Sequence, residues 1–184
     1  MGILGDSLDK AVANTFTRPI PKSAQAQMRF LVRREKGTTA VARLLGVTQR
    51  TVERYVAGTL KRPRRQLAAR LEEEVRKRWQ PRVRERARKR AATSGGIVIE
   101  TRARFGFAAA PGSTDDARIR LVTQHLPPAY AARLLDAKAA GADEEQLRGI
   151  AAEGLQEVYF KNHGRRAQGL QVEFTDIDYV EFDI

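Results

Sequence analysis

Two short stretches with helical periodicity, residues 38–45 and 49–57, meet at Gly46, and this junction constrains the fold more than any other feature. Glycine accepts positive φ without steric cost, so Gly46 allows the first helix to end in a sharp turn. Val47 then plugs the turn into the core. Thr48 is suited to N-cap the second helix, because its hydroxyl can accept an orphan amide hydrogen. Ala42 is small where two helices must cross closely. Val41, Leu45, Val52 and Tyr55 fall on the inward side at helical spacing, which leaves Gln49, Arg50, Glu53 and Arg54 outside. The pattern predicts a helix-turn-helix whose second helix presents those four side chains, rather than an ordinary αα-hairpin with a charged face. Arginine pairs bidentately with guanine and glutamine with adenine, and a helix N-terminus beginning at Thr48 offers amides to phosphate. Lys61, Arg62, Arg64 and Arg65 follow closely and read as phosphate contacts.

Charge supports this reading. The 184 residues carry a formal net charge of +12. Residues 1–95 hold 24 Lys+Arg against 8 Asp+Glu, whereas residues 96–184 hold 10 against 14. A basic half of this density attracts a polyanion, with salt-sensitive affinity from counterion release. The competing readings are a solvated basic surface or a face for anionic lipid. There is no cysteine, which excludes disulfides, cysteine-ligated zinc and a thiol nucleophile. No apolar run approaches the roughly 18 residues needed to span a bilayer, and the N-terminal stretch lacks the apolar segment of a signal peptide. The expectation is a soluble, intracellular protein without a membrane role.

Elsewhere the chain changes grammar. Residues 23–35 read as a helix, and a long helix begins at Arg64 with Leu67, Leu71, Val75 and Trp79 as its apolar stripe. Pro81 ends it, kinks it or opens the next helix. Residues 82–90 are a charge run with almost no core, readable as a further DNA arm or as a solvated helix. Gly95-Gly96 marks a boundary. Beyond it, residues 97–107 and 118–123 read as strands able to form a hairpin, 129–140 and 143–162 as helices, and 170–174 and 177–182 as two more strands. The expected fold class is therefore α+β: an all-helical, basic helix-turn-helix domain over residues 1–94 with a long basic helix, then a small antiparallel α+β domain over 95–184, arranged ββααββ.

Residue types alone compel no enzyme. His125 and His163 lack the i, i+4 pairing of a metal site, and no P-loop or dinucleotide fingerprint is present. Asp176, Asp178, Glu181 and Asp183 alternate near the end of the sequence and read as a soluble edge or a face for a basic partner. No metal site and no intrinsic cofactor is expected. The loop Pro111-Gly112-Ser113-Thr114-Asp115-Asp116 joins two predicted strands and carries two adjacent hydroxyls, although turns favour these residue types in any case.

Over nearly its whole length the chain resembles the terminal proteins of linear Streptomyces replicons, the Tpg family. The resemblance lies in the opening Gly2-Ile3-Leu4-Gly5-Asp6-Ser7-Leu8-Asp9-Lys10-Ala11, in the helix-turn-helix at 39–58, in Gly112-Ser113-Thr114, and in the ending Val172-Glu173-Phe174-Thr175-Asp176-Ile177-Asp178-Tyr179-Val180-Glu181-Phe182. It implies a protein that binds telomeric DNA, as duplex or as folded 3′ overhang. It also implies covalent linkage to the 5′ end and service as the protein primer for end-patching synthesis. The acceptor it implies is the hydroxyl of Thr114, with Ser113 the competitor. The implied partners are a telomere-associated protein and a DNA polymerase, which uses Mg²⁺ and dCTP. The resemblance further implies a cytoplasmic, nucleoid-associated location at replicon ends, with self-association open. Such a protein is a primer and not an enzyme. The alternative is a helix-turn-helix transcriptional regulator with a C-terminal dimerisation or sensor domain.

Overall fold

The computed structural model describes residues 2–108, 118–160 and 171–184. Its elements are α1 (Ile3–Asn14), α2 (Ala24–Glu35), α3 (Thr38–Leu45), α4 (Gln49–Ala57), α5 (Arg65–Arg78), α6 (Pro81–Arg90), β1 (Ile97–Ala108), β2 (Arg118–Leu126), α7 (Pro128–Ala140), α8 (Glu144–Leu155) and β3 (Gln171–Asp183). A π-helical turn, Ala91–Gly95, connects α6 to β1. The expected α+β class holds, with helices in the first half and an antiparallel sheet in the second.

The chain divides into two compact units, Thr17–Pro81 and a second made of Met1–Phe16 together with Arg82–Ile184. This departs from the expected boundary at Gly95-Gly96. The glycine pair is an ordered joint rather than a linker. Gly96 is buried and has φ +65, and a Cβ there would fall 2.4 Å from the Leu126 carbonyl oxygen. The His125 ring nitrogen Nε2 lies 2.6 Å from the Gly95 carbonyl oxygen, so this histidine has a structural partner. Glycine serves close approach and positive φ here, a use that a composition scan reads as flexibility.

The second unit, hereafter the sheet unit, is a three-stranded sheet in the order β2-β1-β3, both pairs antiparallel. One face is mostly apolar: Ile97, Ile99, Ala103 and Phe105 of β1, Val122 and Leu126 of β2, and Val172, Phe174, Val180 and Phe182 of β3. Leu4, Leu8 and Ala11 of α1, Leu134 and Leu135 of α7, and Leu147, Ala151 and Leu155 of α8 join the same core. The opening residues thus cover the sheet instead of belonging to the helical module. Ser7 fixes that docking, its buried hydroxyl accepting the Phe182 amide hydrogen at 3.0 Å. Glu144 fixes the start of α1, its carboxylate accepting from the Leu4 amide at 2.7 Å and the Gly5 amide at 3.4 Å. A carboxylate at a helix N-terminus satisfies orphan donors and complements the dipole. Asp143 and Gln146 form a capping box at α8.

The two strands expected at 170–174 and 177–182 are one strand, so the pattern is ββααβ. The register passes from Arg104↔Thr175 to Arg102↔Tyr179, and Asp176 takes φ +45. The extra residues form a bulge that breaks the apolar alternation and imitates a turn in the sequence. The Thr101 hydroxyl, fully buried, donates to the Tyr179 carbonyl at 2.8 Å beside the bulge. The acidic residues in and after the bulge find partners on the outer face and in α1: Asp176 with Arg104 at 3.0 Å, Asp178 with Arg102 at 3.4 Å, and Glu181 with Lys10 at 2.6 Å.

Trp79 is the only tryptophan and lies in the helical unit, so its emission reports on that unit. Leu8→Ala removes a side chain only 1% exposed from the sheet core and should destabilise the sheet unit by about 2–5 kcal/mol. Amide exchange of β1 and β3 should accelerate while the Trp79 denaturation midpoint stays in place. A shift confined to the Trp79 midpoint would assign α1 to the helical unit instead.

Candidate nucleic-acid interface

The helical unit is built around Met28 and Leu31 of α2, Val41 and Leu45 of α3, Val52 and Tyr55 of α4, and Leu71 and Val75 of α5, all buried. The α3–α4 corner forms as its sequence predicts. Gly46 has φ +66 and ψ +38, the Val47 amide donates to the Ala42 carbonyl at 3.0 Å, and the Gly46 amide reaches the Arg43 carbonyl at 3.3 Å. This pair of bonds is a Schellman motif. Arg70 of α5 donates to the Leu45 carbonyl at 3.0 Å and so satisfies a further orphan acceptor. Sequence reasoning did not find Arg70. A lone arginine on a long charged helix carries no local signal that it caps a different helix.

Thr48 caps α4, its Oγ1 accepting from the Thr51 amide at 3.2 Å and lying 2.9 Å from Thr51 Oγ1. At the far end, Gly58 takes φ +84 and the Leu60 amide donates to the Arg54 carbonyl at 3.2 Å. Two α2 side chains then converge on the Val56 carbonyl, Gln25 at 3.2 Å and Arg29 at 3.0 Å. The helix is thereby capped at its start and held at its far end by α2, which sets the direction of its outer face.

Gln49, Arg50, Glu53 and Arg54 are all exposed on that face. Their states differ. Gln49 accepts from the Thr39 hydroxyl at 2.9 Å and donates to Glu53 at 2.8 Å, so its amide is already oriented. Arg50 and Arg54 make no side-chain hydrogen bond or ion pair among the described residues. A base contact by Gln49 would share its amide with Thr39 and Glu53, whereas the two arginines are free to engage a guanine edge or a phosphate. Lys61, Arg62, Arg64 and Arg65 are exposed as well, with Arg64 at the N-cap of α5 and Arg65 its first residue.

The electrostatics of the unit sharpen this arrangement. Residues 17–81 hold 17 Lys+Arg and 5 Asp+Glu, a net +12 that equals the charge of the whole chain. Four of those five acids gather around the C-terminal half of α5. Glu72 pairs with Arg76 at 3.0 Å, Glu73 with Lys77 at 2.6 Å, Glu35 with Arg78 at 2.6 Å, and Glu74 also pairs with Arg78. The hydrogen bond from Lys77 holds the Glu73 carboxyl below its ordinary range. Burial opposes the Arg78 charge, but its bonds to Glu35 and Glu74 outweigh that and raise its pKa. The anions are thus spent at one end of α5, and of the five only Glu53 lies on the face of α4.

Thr114, Ser113 and the rest of residues 111–116, between β1 and β2 in the sequence, lie outside the described residues, and so does His163. Among the described residues there is no group of three or more His, Cys, Asp or Glu placed to hold a metal ion. No described helix is long and apolar enough to cross a membrane.

Arg50→Ala and Arg54→Ala should each weaken sequence-preferring duplex binding by about 1–3 kcal/mol if the side chain pairs with a base. Competition titrations with preferred and scrambled duplexes measure this. An unchanged preference in both variants would limit α4 to backbone contact.

Comparison of the chain with family models, with curated proteins and with solved structures returned no match.

Proposed function

We propose that this protein is a DNA terminal protein: it binds the ends of a linear replicon through its helix-turn-helix, and a threonine hydroxyl becomes the covalent primer for filling in the 5′ end. The observation that carries the DNA-binding part is the face of α4, where Arg50 and Arg54 stand unpaired among the described residues on a unit of charge +12. The priming part rests on the resemblance to the Tpg terminal proteins, whose acceptor falls on Thr114. That residue belongs to the segment joining the antiparallel strands β1 and β2, paired up to Phe105↔Arg118. A connection between neighbouring strands is a suitable carrier, because the acceptor must reach into a polymerase cleft.

The chemistry asked of the chain is modest. The Thr114 oxygen takes the place of a primer 3′-hydroxyl and attacks the α-phosphorus of dCTP in line. A phosphoester bond forms to threonine, the bond to pyrophosphate breaks, and the hydroxyl proton passes to the polymerase site. An alkyl hydroxyl is a weak nucleophile and needs this activation, which the partner's metal ions supply. The protein contributes delivery and display: binding through α4 raises the local concentration of the acceptor at the DNA end. The telomere-associated protein and the polymerase are the partners of this reading, with one copy consumed per end.

Incubation of the chain with its polymerase partner, telomeric template and labelled dCTP tests the proposal. Wild type should retain label through denaturing electrophoresis, and Thr114→Ala should lose it. Equal labelling of the two would remove Thr114 from the role. Labelling of neither, with a polymerase proven active, would favour the transcriptional regulator.

A further inference from the structure

We infer that α6 is an additional nucleic-acid backbone surface, carried by the sheet unit; the inference rests on the DNA-binding reading of the chain. The charge run at residues 82–90 is two faces of one helix. Toward the core lie Val83, Arg84, Ala87 and Arg88, continued by the fully buried Ala91. The two arginines on this side serve the fold. Arg84 lies against the Phe16 ring, with its guanidinium carbon 5.8 Å from the centroid. Arg88 donates to Asp136 at 2.9 Å and to the Leu135 carbonyl at 3.4 Å. Outward lie Arg82, Arg86, Lys89 and Arg90, all exposed and without an ion pair or side-chain hydrogen bond among the described residues. At 3.6 residues per turn, Arg82, Arg86 and Lys89 fall within an arc of about 60° and span about 10 Å of helix. That length reaches more than one phosphate of a strand.

Four observations set this face apart from an ordinary solvated one. The neighbouring charged helix, α5, neutralises its cations locally, with Glu72, Glu73 and Glu74 each paired to the residue four positions on. The single acid of α6, Glu85, makes no ion pair among the described residues. The spacing Arg82/Arg86 and Arg86/Arg90 instead places like charges at i, i+4, which destabilises an isolated helix. Arg82 also stands in the first turn, where the helix dipole disfavours a cation. Lys89 and Arg90 stand in the last turn, where the dipole favours them, but neither the dipole nor a formed ion pair accounts for the exposed Arg82 and Arg86, whereas a polyanion would.

The surroundings make the concentration on one helix informative. Apart from residues 82–90, the sheet unit holds 11 Lys+Arg and 16 Asp+Glu. Outside this helix the unit is net acidic, so its excess of cations is concentrated on α6. The helix is also held in place beyond its last turn, where Thr93 donates to the Lys89 carbonyl at 2.8 Å and Ser94 to that of Arg90 at 3.4 Å. Three of the four outward cations are arginines, whose planar fork matches phosphate oxygens. The expected ligand is the phosphate backbone, duplex or single-stranded, without base readout.

Fluorescence anisotropy of the full chain on a labelled duplex and on a single-stranded oligonucleotide, each over a series of NaCl concentrations, tests the inference. The triple variant Arg82→Gln/Arg86→Gln/Lys89→Gln should lower the slope of log affinity against log salt by about 2–3 on duplex, or by about 2 on single strand. The ratio of affinities for preferred and scrambled duplex should stay unchanged. The charge-keeping variant Arg82→Lys/Arg86→Lys should retain the wild-type slope; loss of slope there too would mean the substitutions act through folding and would overturn the inference. An unchanged slope in the triple variant on both probes would overturn the α6 surface while leaving the helix-turn-helix reading intact. Absence of salt-dependent binding by the wild-type chain would overturn both.

Discussion

The turn at Gly46 is the constraint on which the rest of the account depends. Its left-handed conformation lets the Val47 and Gly46 amides close the end of α3, and Arg70 takes up the Leu45 carbonyl. A β-carbon at Gly46 would carry the strain of φ +66 and would fall 2.8 Å from Arg70 Nη1. With α3 ended there, Thr48 starts α4 in the one direction that buries Val52 and Tyr55 and leaves Arg50 and Arg54 outside. The charge of this unit would be diffuse without that fixed face. With it, the cations acquire an address.

Charge is partitioned at two levels. Between the units, residues 17–81 carry a net +12 while the sheet unit balances at 17 cations and 17 anions. Within each unit, anions are drawn to positions where they bind a cation of the fold, such as Glu35 and Glu74 on Arg78 and Asp136 on Arg88. Exposed pairs of this kind contribute little stability, on the order of 0–1 kcal/mol each. Their larger consequence is spatial, because they leave α4 and the outward side of α6 positive. On the proposed reading, counterion release at those faces drives the response to a polyanion.

Much of the helical unit was legible in the sequence because its signals are local. A glycine after an apolar helix, a threonine cap and an inward set at helical spacing identify α3 and α4 with few alternatives, and the exposure of Gln49, Arg50, Glu53 and Arg54 follows directly. What escaped was non-local. Gly95-Gly96 has the composition of a linker, yet it serves the packing of Gly96 against Leu126. The opening helix looks like part of a basic N-terminal half, yet Leu4 and Leu8 complete the sheet core. The bulge at Asp176 divides one strand into two apparent ones. Glu144 reads as an acid suited to the start of its own helix, while its carboxylate meets the start of α1 instead. Each of these depends on a partner far along the chain, which periodicity and composition do not encode. Thr114 was reached through resemblance alone, since a hydroxyl in a turn-like segment has no chemical signature of its own.

The central claim is that the outer face of α4, set by the Gly46 turn, meets DNA. Amide chemical-shift mapping of the isotope-labelled chain on addition of a duplex tests it most directly. The account predicts the largest changes at Gln49, Arg50, Glu53 and Arg54. Shifts that spare all four of these residues while the chain demonstrably binds the duplex would contradict it.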